Sequence, residues 1–197
     1  MRGRFIAFEG LDQSGKQTQS ELLASALEER GHTIRRLSFP EYETAIGSEL
    51  ERALAGERDY RPDVMQLLYV ANRYERKPDI EQWLGDGTIV VSDRYTASSI
   101  AYGEAFGLDA TWLADIQRGL PPADLTILLD IVPETAVTRK RADRDRYERD
   151  LALQARVRAS YHRQAGAGGW LQLNGERDRH AVAADALTAV VSRLGLR

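Results

Sequence analysis

The chain has 197 residues, a net charge of −3 and no cysteine. Its length fits one α/β domain over residues 1–197, and the acidic balance argues against a broad nucleic-acid-binding surface. The lack of cysteine excludes disulfides and thiolate metal sites. No stretch resembles a signal peptide or is apolar for long enough to span a membrane, so we expect a cytoplasmic protein with no membrane partner.

Short apolar runs alternate with amphipathic segments along the chain. The runs predict strands at Arg4–Glu9, Thr33–Phe39, Thr88–Ser92, Leu125–Ile131 and Trp170–Leu173. The segments between them predict helices that include Lys16–Arg30, Val64–Trp83, Ala97–Phe106, Ala110–Arg118, Leu151–Ala165 and Asp178–Leu194. The strands show no clean polar alternation, which is typical of a parallel sheet covered on both faces. We therefore expect an α/β fold with a five-stranded parallel sheet flanked by helices, whose ligands bind beyond the carboxyl ends of the strands.

The strongest functional signal lies directly after the first predicted strand. Gly10 and Gly15 have the spacing of a phosphate-binding loop, and Lys16 has the position of its lysine. Glycines let backbone N–H groups approach phosphate oxygens, and the following helix directs its positive end at the same anion. A chance glycine-rich turn is the alternative, which the strand–loop–helix context disfavours. Gln17 stands where serine or threonine usually ligates magnesium, and Thr18 comes one residue late.

Candidate site residues lie at the ends of two further strands. Asp93 and Arg94 end the third predicted strand, where a carboxylate can hold magnesium or its waters and an arginine can bind a phosphate. The alternative is that both residues only cap the next helix. Phe39 and Pro40 lie at the end of the second strand. Phe39 would either line a pocket or belong to the core, as an aromatic residue at a strand end more often does.

A predicted helix carries Tyr69 and Arg73, which are four residues apart and therefore share a face. A ring beside a guanidinium suits a planar heterocycle, although a surface cation–π pair is the simpler interpretation of these two residues alone. The run of basic residues from Arg139 to Arg149 is either a solvated segment or an arginine-rich lid over a triphosphate, at about residues 139–150.

Taken in order, the segments FEGLDQSGKQTQ, SFPE, LLYVANRYE, VVSDRYTASSIAY, GLPPADLTILLDI and DRYE resemble the thymidylate kinase family across nearly the whole chain. The resemblance implies a P-loop NTPase fold and the transfer of a phosphoryl group from ATP to dTMP, with Mg²⁺ as the cofactor. It also implies a homodimer, with contacts on the helix around Asp63–Arg76 and on the segment from Ala97 to Phe106.

The resemblance also assigns roles to individual residues. The ATP phosphates would bind the loop formed by Gly10, Leu11, Asp12, Gln13, Ser14, Gly15, Lys16, Gln17 and Thr18. The substrate dTMP would contact Asp12, Phe39, Pro40, Tyr69, Arg73, Arg94, Ser98, Ser99, Tyr102 and Tyr147. Within these sets, Asp12 would bind the sugar 3′-hydroxyl, Tyr69 would stack on thymine and Arg73 would hydrogen-bond its carbonyl edge. Asp93 would act at the metal.

Three positions depart from the family pattern. Gln13 replaces an arginine that some members carry in the loop, so Arg141 and Arg144 of the lid become candidates for the catalytic charge. Tyr42 stands where relatives often have a phosphate-binding arginine. Gln17 leaves the direct metal ligand open among its own amide oxygen, Thr18 and water. Two alternatives follow for function: a kinase for another deoxynucleotide or a deoxynucleoside, and a nucleotide-binding regulator that has lost catalysis.

Overall fold

The computed structural model describes residues 2–139 and 150–196. In this part of the chain, five strands form one parallel sheet in the order β2-β3-β1-β4-β5. The strands are β1 (Phe5–Glu9), β2 (Ile34–Ser38), β3 (Ile89–Asp93), β4 (Leu125–Asp130) and β5 (Leu171–Asn174). The predicted five-stranded parallel sheet is thereby confirmed. The lid candidates Arg141 and Arg144, and Tyr147, lie outside the described residues.

Eight helices accompany the sheet within the described residues. They are α1 (Lys16–Glu28), α2 (Ala45–Leu54), α3 (Pro62–Gly85), α4 (Thr96–Ala105), α5 (Ala110–Asp115), α6 (Pro133–Arg139), α7 (Leu151–Gly168) and α8 (Arg179–Leu194). The short helices α2 and α6 were not among the named predictions. Helix α2 begins at a Thr44 N-cap, whose hydroxyl accepts a hydrogen bond from the Gly47 amide. None of the helices in the described ranges is long and apolar enough to cross a membrane.

The three central strands, β3, β1 and β4, are largely buried on both faces, which explains why they lack polar alternation, whereas the edge strands β2 and β5 keep exposed residues. Ile6 and Phe8 of β1 pack in one apolar cluster with residues of α1 and α8. Phe5 and Ala7, which point to the opposite face, pack in a second cluster with residues of α3. Every residue of β1 is buried, including Glu9.

The carboxyl ends of β1 and β3 lie side by side in the middle of the sheet, because Phe8 is in register with Asp93. The loop after β1 and the loop after β3 therefore meet. The first of these loops needs glycine at residue 10: its φ is 143°, and a Cβ there would lie 2.5 Å from the carbonyl oxygen of Leu129. This meeting point holds most of the residues that the sequence singled out.

Candidate active site

The loop between β1 and α1 has the form of a phosphate site. Lys16 is the first residue of α1 and only 6% exposed, and its Nζ donates a hydrogen bond to the carbonyl of Leu11 at 2.7 Å. Burial lowers the pKa of Lys16 to about 8, and the nearby charge of Arg94 acts in the same direction. In the same loop the Ser14 hydroxyl is buried and has no hydrogen-bond partner in residues 2–139 and 150–196. Both groups would gain a partner from phosphate oxygens.

A second set of hydrogen bonds, made by Arg139, holds the phosphate loop in place. Arg139, at the end of α6, donates hydrogen bonds to the carbonyl oxygens of Gln13 at 3.0 Å and of Gly175 at 2.8 Å. Gln13 has a φ of 63°, a conformation that few residues other than glycine adopt. The first residue of the predicted lid is therefore attached to the phosphate loop by its side chain.

Asp12 and Arg94 join the phosphate loop to the loop after β3. The Arg94 guanidinium forms an ion pair with one Asp12 carboxylate oxygen, and the Tyr102 hydroxyl donates a hydrogen bond to the other at 2.8 Å. Burial alone would raise the pKa of Asp12, but the charges of Arg94 and Lys16 lower it to about 2. Asp12 is therefore an anion at neutral pH.

Arg94 is held by several partners besides Asp12. Its Nη1 lies 3.2 Å from the carbonyl of Gly10, 3.1 Å from the Ser98 hydroxyl and 3.2 Å from the hydroxyl of Tyr161. Burial opposes its charge, but the pKa of Arg94 is raised well above its ordinary value, chiefly by Asp12. A permanent positive charge is thus fixed between the phosphate loop and the space beside Tyr102.

Asp93 and Arg94 do not cap α4, so that alternative is wrong. The N-cap of α4 is Tyr95, which makes no side-chain capping bond. The amides of Tyr95 and Ser98 instead donate to the Glu9 carboxylate, at 2.9 and 3.2 Å. One carboxylate oxygen of Asp93 is buried and has no hydrogen-bond partner among the described residues, so a cation would supply the charge that it lacks.

Glu9 is a structural residue that sequence reasoning missed. Besides the two amides of the α4 N-terminus, its carboxylate accepts hydrogen bonds from the hydroxyls of Ser98 at 2.6 Å and Tyr161 at 3.0 Å. It is 0% exposed. The sequence does offer a signal for Glu9, because it is a charged residue at the end of an otherwise apolar strand. A carboxylate buried there needs several hydrogen-bond donors around it.

We expect Glu9→Ala to lower the free energy of unfolding by about 3 kcal/mol, because it leaves buried amide and hydroxyl donors without an acceptor. Urea unfolding measures the loss. Glu28→Ala, at the exposed end of α1, is the control and should change the stability by less than about 0.5 kcal/mol. Equal losses in the two variants would contradict a role for Glu9 in holding α4.

A cavity of about 460 Å³ opens beside Arg94. It brings together all the predicted substrate residues in the described ranges, together with several that the sequence did not indicate. Its lining is Asp12, Phe39, Pro40, Tyr42, Leu54, Tyr60, Pro62, Met65, Gln66, Tyr69, Arg73, Arg94, Ser98, Ser99, Tyr102, Phe106, Asp150 and Leu153. The lining combines aromatic and apolar side chains with charged ones, which suits a ligand with a flat base and a phosphate.

Arg73 forms part of the inner wall of this cavity, so the interpretation of Tyr69 and Arg73 as a surface pair is wrong. Arg73 is 3% exposed, and its guanidinium lies 5.9 Å from the ring centre of Phe39. Its Nη1 donates to the Ser99 hydroxyl at 2.7 Å and to the Gln117 amide oxygen at 3.3 Å. Burial lowers the pKa of Arg73 to about 10, so it remains charged at neutral pH. Phe39 belongs to both the core and the cavity wall.

Asn72, next to Arg73, fixes the loop that follows β2. Its side-chain oxygen accepts from the Glu41 amide at 2.8 Å, and its nitrogen donates to the Thr44 hydroxyl at 2.8 Å. Asn72 is 0% exposed. The segment that carries Phe39, Pro40 and Tyr42 is therefore attached to α3, the helix that also carries Tyr69 and Arg73.

The two predicted metal ligands differ in their surroundings. Gln17 is exposed, and its amide nitrogen donates to the carboxylate of Glu21 at 3.4 Å. Asp93 has the buried carboxylate oxygen described above, which has no hydrogen-bond partner among the described residues. No cluster of three His, Asp or Glu side chains occurs in residues 2–139 and 150–196. These residues fit Mg²⁺, which commonly binds through one carboxylate, substrate phosphates and water, better than they fit a metal held by protein ligands alone.

The comparisons with known proteins agree with one another. The family model for thymidylate kinase matches residues 8–185. Thymidylate kinases of Schizosaccharomyces pombe and Homo sapiens are each 38% identical to this chain, over 82% of its length and 77% and 76% of theirs. The solved structure of thymidylate kinase from Candida albicans superimposes with a TM-score of 0.88 at 25% identity, covering 100% of this chain and 94% of that one. The chain therefore belongs to the thymidylate kinase family, as its sequence motifs predict.

Proposed function

We propose that this enzyme transfers the γ-phosphoryl group of ATP to dTMP, giving ADP and dTDP. The proposal depends mainly on one observation. The ion pair between Asp12, in the phosphate loop, and Arg94, in the cavity wall, joins the phosphate loop directly to a cavity large enough for a base. Membership of the thymidylate kinase family supports the same reaction. A donor at the loop and an acceptor in the cavity would meet at Arg94.

The chemistry requires neutralisation and alignment more than proton removal. The acceptor phosphate of dTMP is already ionised, so one of its oxygens attacks the γ-phosphorus while the bond to the β-phosphate oxygen breaks and ADP leaves. Lys16 would bind the terminal phosphates of the donor, and Arg94 would bind the approaching acceptor phosphate. Holding the reacting atoms at roughly 3 Å in line supplies much of the rate enhancement.

Asp93 is the residue that we propose to hold magnesium, with Gln17 and the donor phosphates nearby. When bound, magnesium would neutralise charge on the β- and γ-phosphate oxygens. The unpartnered carboxylate oxygen of Asp93 supports this role. Gln17 remains a candidate for contact through water, since its exposed amide is hydrogen-bonded only weakly, at 3.4 Å, to Glu21.

The base and sugar would occupy the aromatic side of the cavity. We propose stacking on Tyr69, with Phe39 and Pro40 as the opposite wall and Arg73 at the carbonyl edge of the base. Asp12 would accept a hydrogen bond from the sugar 3′-hydroxyl, and Tyr102, bonded to Asp12, would occupy the space that a ribose 2′-hydroxyl needs.

Ser98 and Ser99 would act mainly through neighbouring side chains. The Ser98 hydroxyl is already bonded to Glu9 and Arg94, and the Ser99 hydroxyl accepts a bond from Arg73. Both residues line the cavity but are almost fully buried. We therefore place them as residues that position the two arginines.

We further propose a cytoplasmic homodimer with ATP and dTMP as its small-molecule partners. Helix α3 exposes Val64, Leu67 and Tyr74, at 36%, 47% and 38% of their surface, outside its buried face. Apolar side chains along one exposed helix are a common feature of subunit interfaces. This location agrees with the dimer contact expected around Asp63–Arg76.

An acceptor panel tests the proposed reaction. ADP release would be measured with MgATP and each of dTMP, dUMP, thymidine, dCMP, dGMP and AMP. Turnover selective for dTMP supports the proposal, whereas a preference for another acceptor supports the alternative kinase. ATP binding without turnover of any acceptor would favour the inactive regulator. The panel matters because the Candida albicans relative is described as having broad substrate specificity.

Arg73→Ala is expected to raise the KM for dTMP roughly 10- to 100-fold while changing the KM for ATP less than about threefold. The reason is the loss of a charged hydrogen-bond donor at the base edge, worth about 1.5–3 kcal/mol. Steady-state kinetics with each substrate varied in turn measures both constants. Arg118→Ala removes a surface arginine paired with Asp115 and serves as the control. An equal rise in both KM values would indicate a structural role for Arg73.

A further inference from the structure

The hydroxyl of Tyr161 joins helix α7 to Arg94. The side chain is 1% exposed, and its ring packs in an apolar cluster that includes Ala101 of α4 and Leu128 of β4. Its hydroxyl accepts a hydrogen bond from Nη1 of Arg94 at 3.2 Å and donates one to a carboxylate oxygen of Glu9 at 3.0 Å. A phenylalanine would fill the apolar cluster equally well, so the packing of the ring does not explain why this residue carries a hydroxyl.

Ser98 of α4 makes a matching set of contacts. Its hydroxyl donates to the same oxygen of Glu9 at 2.6 Å, accepts from Nη1 of Arg94 at 3.1 Å and lies 2.9 Å from the Tyr161 hydroxyl. Each hydroxyl has one proton, and the carboxylate of Glu9 can accept both protons. The two hydroxyl oxygens then present their lone pairs to Arg94, one from each helix.

These contacts hold Arg94 at Nη1 without cancelling its charge there. An arginine can only donate hydrogen bonds, so each of its nitrogens needs an acceptor. Asp12 is a charged acceptor at Nη2, whereas Ser98 and Tyr161 offer neutral oxygens at Nη1. Burial and the carboxylate of Glu9 raise the pKa of Tyr161 well above its ordinary value, so its hydroxyl keeps its proton. The guanidinium in the cavity wall is thus fixed by oxygens that remain uncharged.

Helices α4 and α7 are also joined by hydrogen bonds that do not involve Tyr161. Ser160 and Arg163 of α7 both donate to the carboxylate of Glu104 on α4, the second of them at 2.9 Å. The two helices share an apolar cluster as well. Removal of the Tyr161 hydroxyl alone should therefore leave α7 packed against α4, and its main effect should fall on the groups that the hydroxyl contacts.

We propose that Tyr161 is a positioning residue for phosphoryl transfer, whose hydroxyl holds the Arg94 guanidinium where the acceptor phosphate arrives. This inference rests on the proposed function, because it assumes that Arg94 binds that phosphate. Without one of its neutral acceptors, the guanidinium can rotate and would meet the phosphate in several orientations. A misplacement of about 1 Å can cost up to about a hundredfold in rate. Loss of the hydroxyl should therefore slow the reaction more than it weakens substrate binding.

The test compares wild type with Tyr161→Phe, which removes only the hydroxyl. With MgATP and dTMP, kcat should fall about tenfold, while the KM values for dTMP and ATP change less than about threefold. Ser160→Ala is the matched control, because it removes the neighbouring buried hydroxyl, which bonds Glu104. Each variant loses one buried hydrogen bond and should unfold about 2–4 °C below wild type, but only Tyr161→Phe should lower kcat.

A double-mutant cycle shows whether Tyr161 acts through Arg94. In an Arg94→Ala background, Tyr161→Phe should lower kcat by less than about twofold, since the group that it positions is gone. A full tenfold loss in that background, unchanged kcat in Tyr161→Phe alone, or equal kcat losses in Tyr161→Phe and Ser160→Ala would each overturn the inference.

An unfolding temperature of Tyr161→Phe far below that of Ser160→Ala would also overturn the inference, because the hydroxyl would then serve the fold. If wild type prefers an acceptor other than dTMP, the proposed function fails, and the same variants are compared with that acceptor. The failure of the proposed function and the failure of this inference are therefore distinguishable.

Discussion

Lys16→Met is expected to lower kcat about a thousandfold while leaving the fold intact. The Lys16 ammonium lies at the N-terminus of α1 and is nearly buried, so in the proposed reaction its full charge would act on the transferring phosphoryl group with little screening by water. Loss of one such preorganised charge commonly costs two to three orders of magnitude. Single-turnover measurements with saturating MgATP and dTMP separate this loss of rate from a loss of binding.

Lys77→Met provides the matched control for that experiment. Lys77 lies on α3 and pairs with Glu81 at 2.6 Å, away from the residues that line the cavity. It should retain the wild-type kcat within about twofold. A Lys16→Met enzyme with near-normal turnover would remove Lys16 from the mechanism and leave the phosphate loop as a binding element only.

The same variant tests the electrostatics of the loop through the pH dependence of stability. The pKa of Lys16 is lowered to about 8 in the folded protein from an ordinary 10.5, so between these values the unfolded chain binds more protons. Stability contributed by this group therefore rises as the pH increases from about 8 to 10.5. The free energy of unfolding of wild type minus that of Lys16→Met should therefore increase with pH across that window. A flat difference would contradict the lowered pKa.

The sequence predicted the architecture well because the decisive signals are local. A strand, a glycine-spaced loop with Lys16 and an amphipathic helix follow one another within about 25 residues, and the apolar runs locate the remaining strands. Helix α2 was the clearest omission. Its buried Leu50 and Ala53 are spaced three residues apart, a helical spacing, but the element is short and lies between polar segments.

The contacts within the site could not be predicted in the same way, because they join residues distant in sequence. Tyr161 reaches Glu9 across 152 positions, and its hydroxyl also meets Ser98 and Arg94. Gln66 gives no sequence signal, since a single glutamine on a helix is usually exposed. Only the packing of α3 shows that this side chain is buried and that its oxygen has no hydrogen-bond partner within the described part of the chain.

Arg94→Ala is expected to lower kcat/KM for dTMP at least about a thousandfold, the lower end of the range for an arginine that stabilises phosphoryl transfer. The guanidinium binds Asp12, the Gly10 carbonyl, Ser98 and Tyr161 at once, so its charge is held in one position between the phosphate loop and the cavity, the proposed donor and acceptor sites. Removing it would also leave the Asp12 carboxylate without its main counter-charge. The affinity for MgATP, measured by calorimetry, should change much less than the affinity for dTMP.

Arg94→Lys separates the charge from the geometry. A lysine keeps one positive charge but cannot span four partners with a planar fork, so we expect this variant to recover no more than about a tenth of the wild-type kcat/KM. Backbone strain does not affect the comparison of the Arg94 variants with wild type. The φ of residue 94 is 65°, which is about equally unfavourable for arginine, lysine and alanine. Arg163→Ala, which removes a surface arginine paired with Glu104, controls for the loss of a peripheral charge. Wild-type activity in Arg94→Lys would show that a mobile point charge suffices, and the fixed contacts of Arg94 would then serve the fold rather than the reaction.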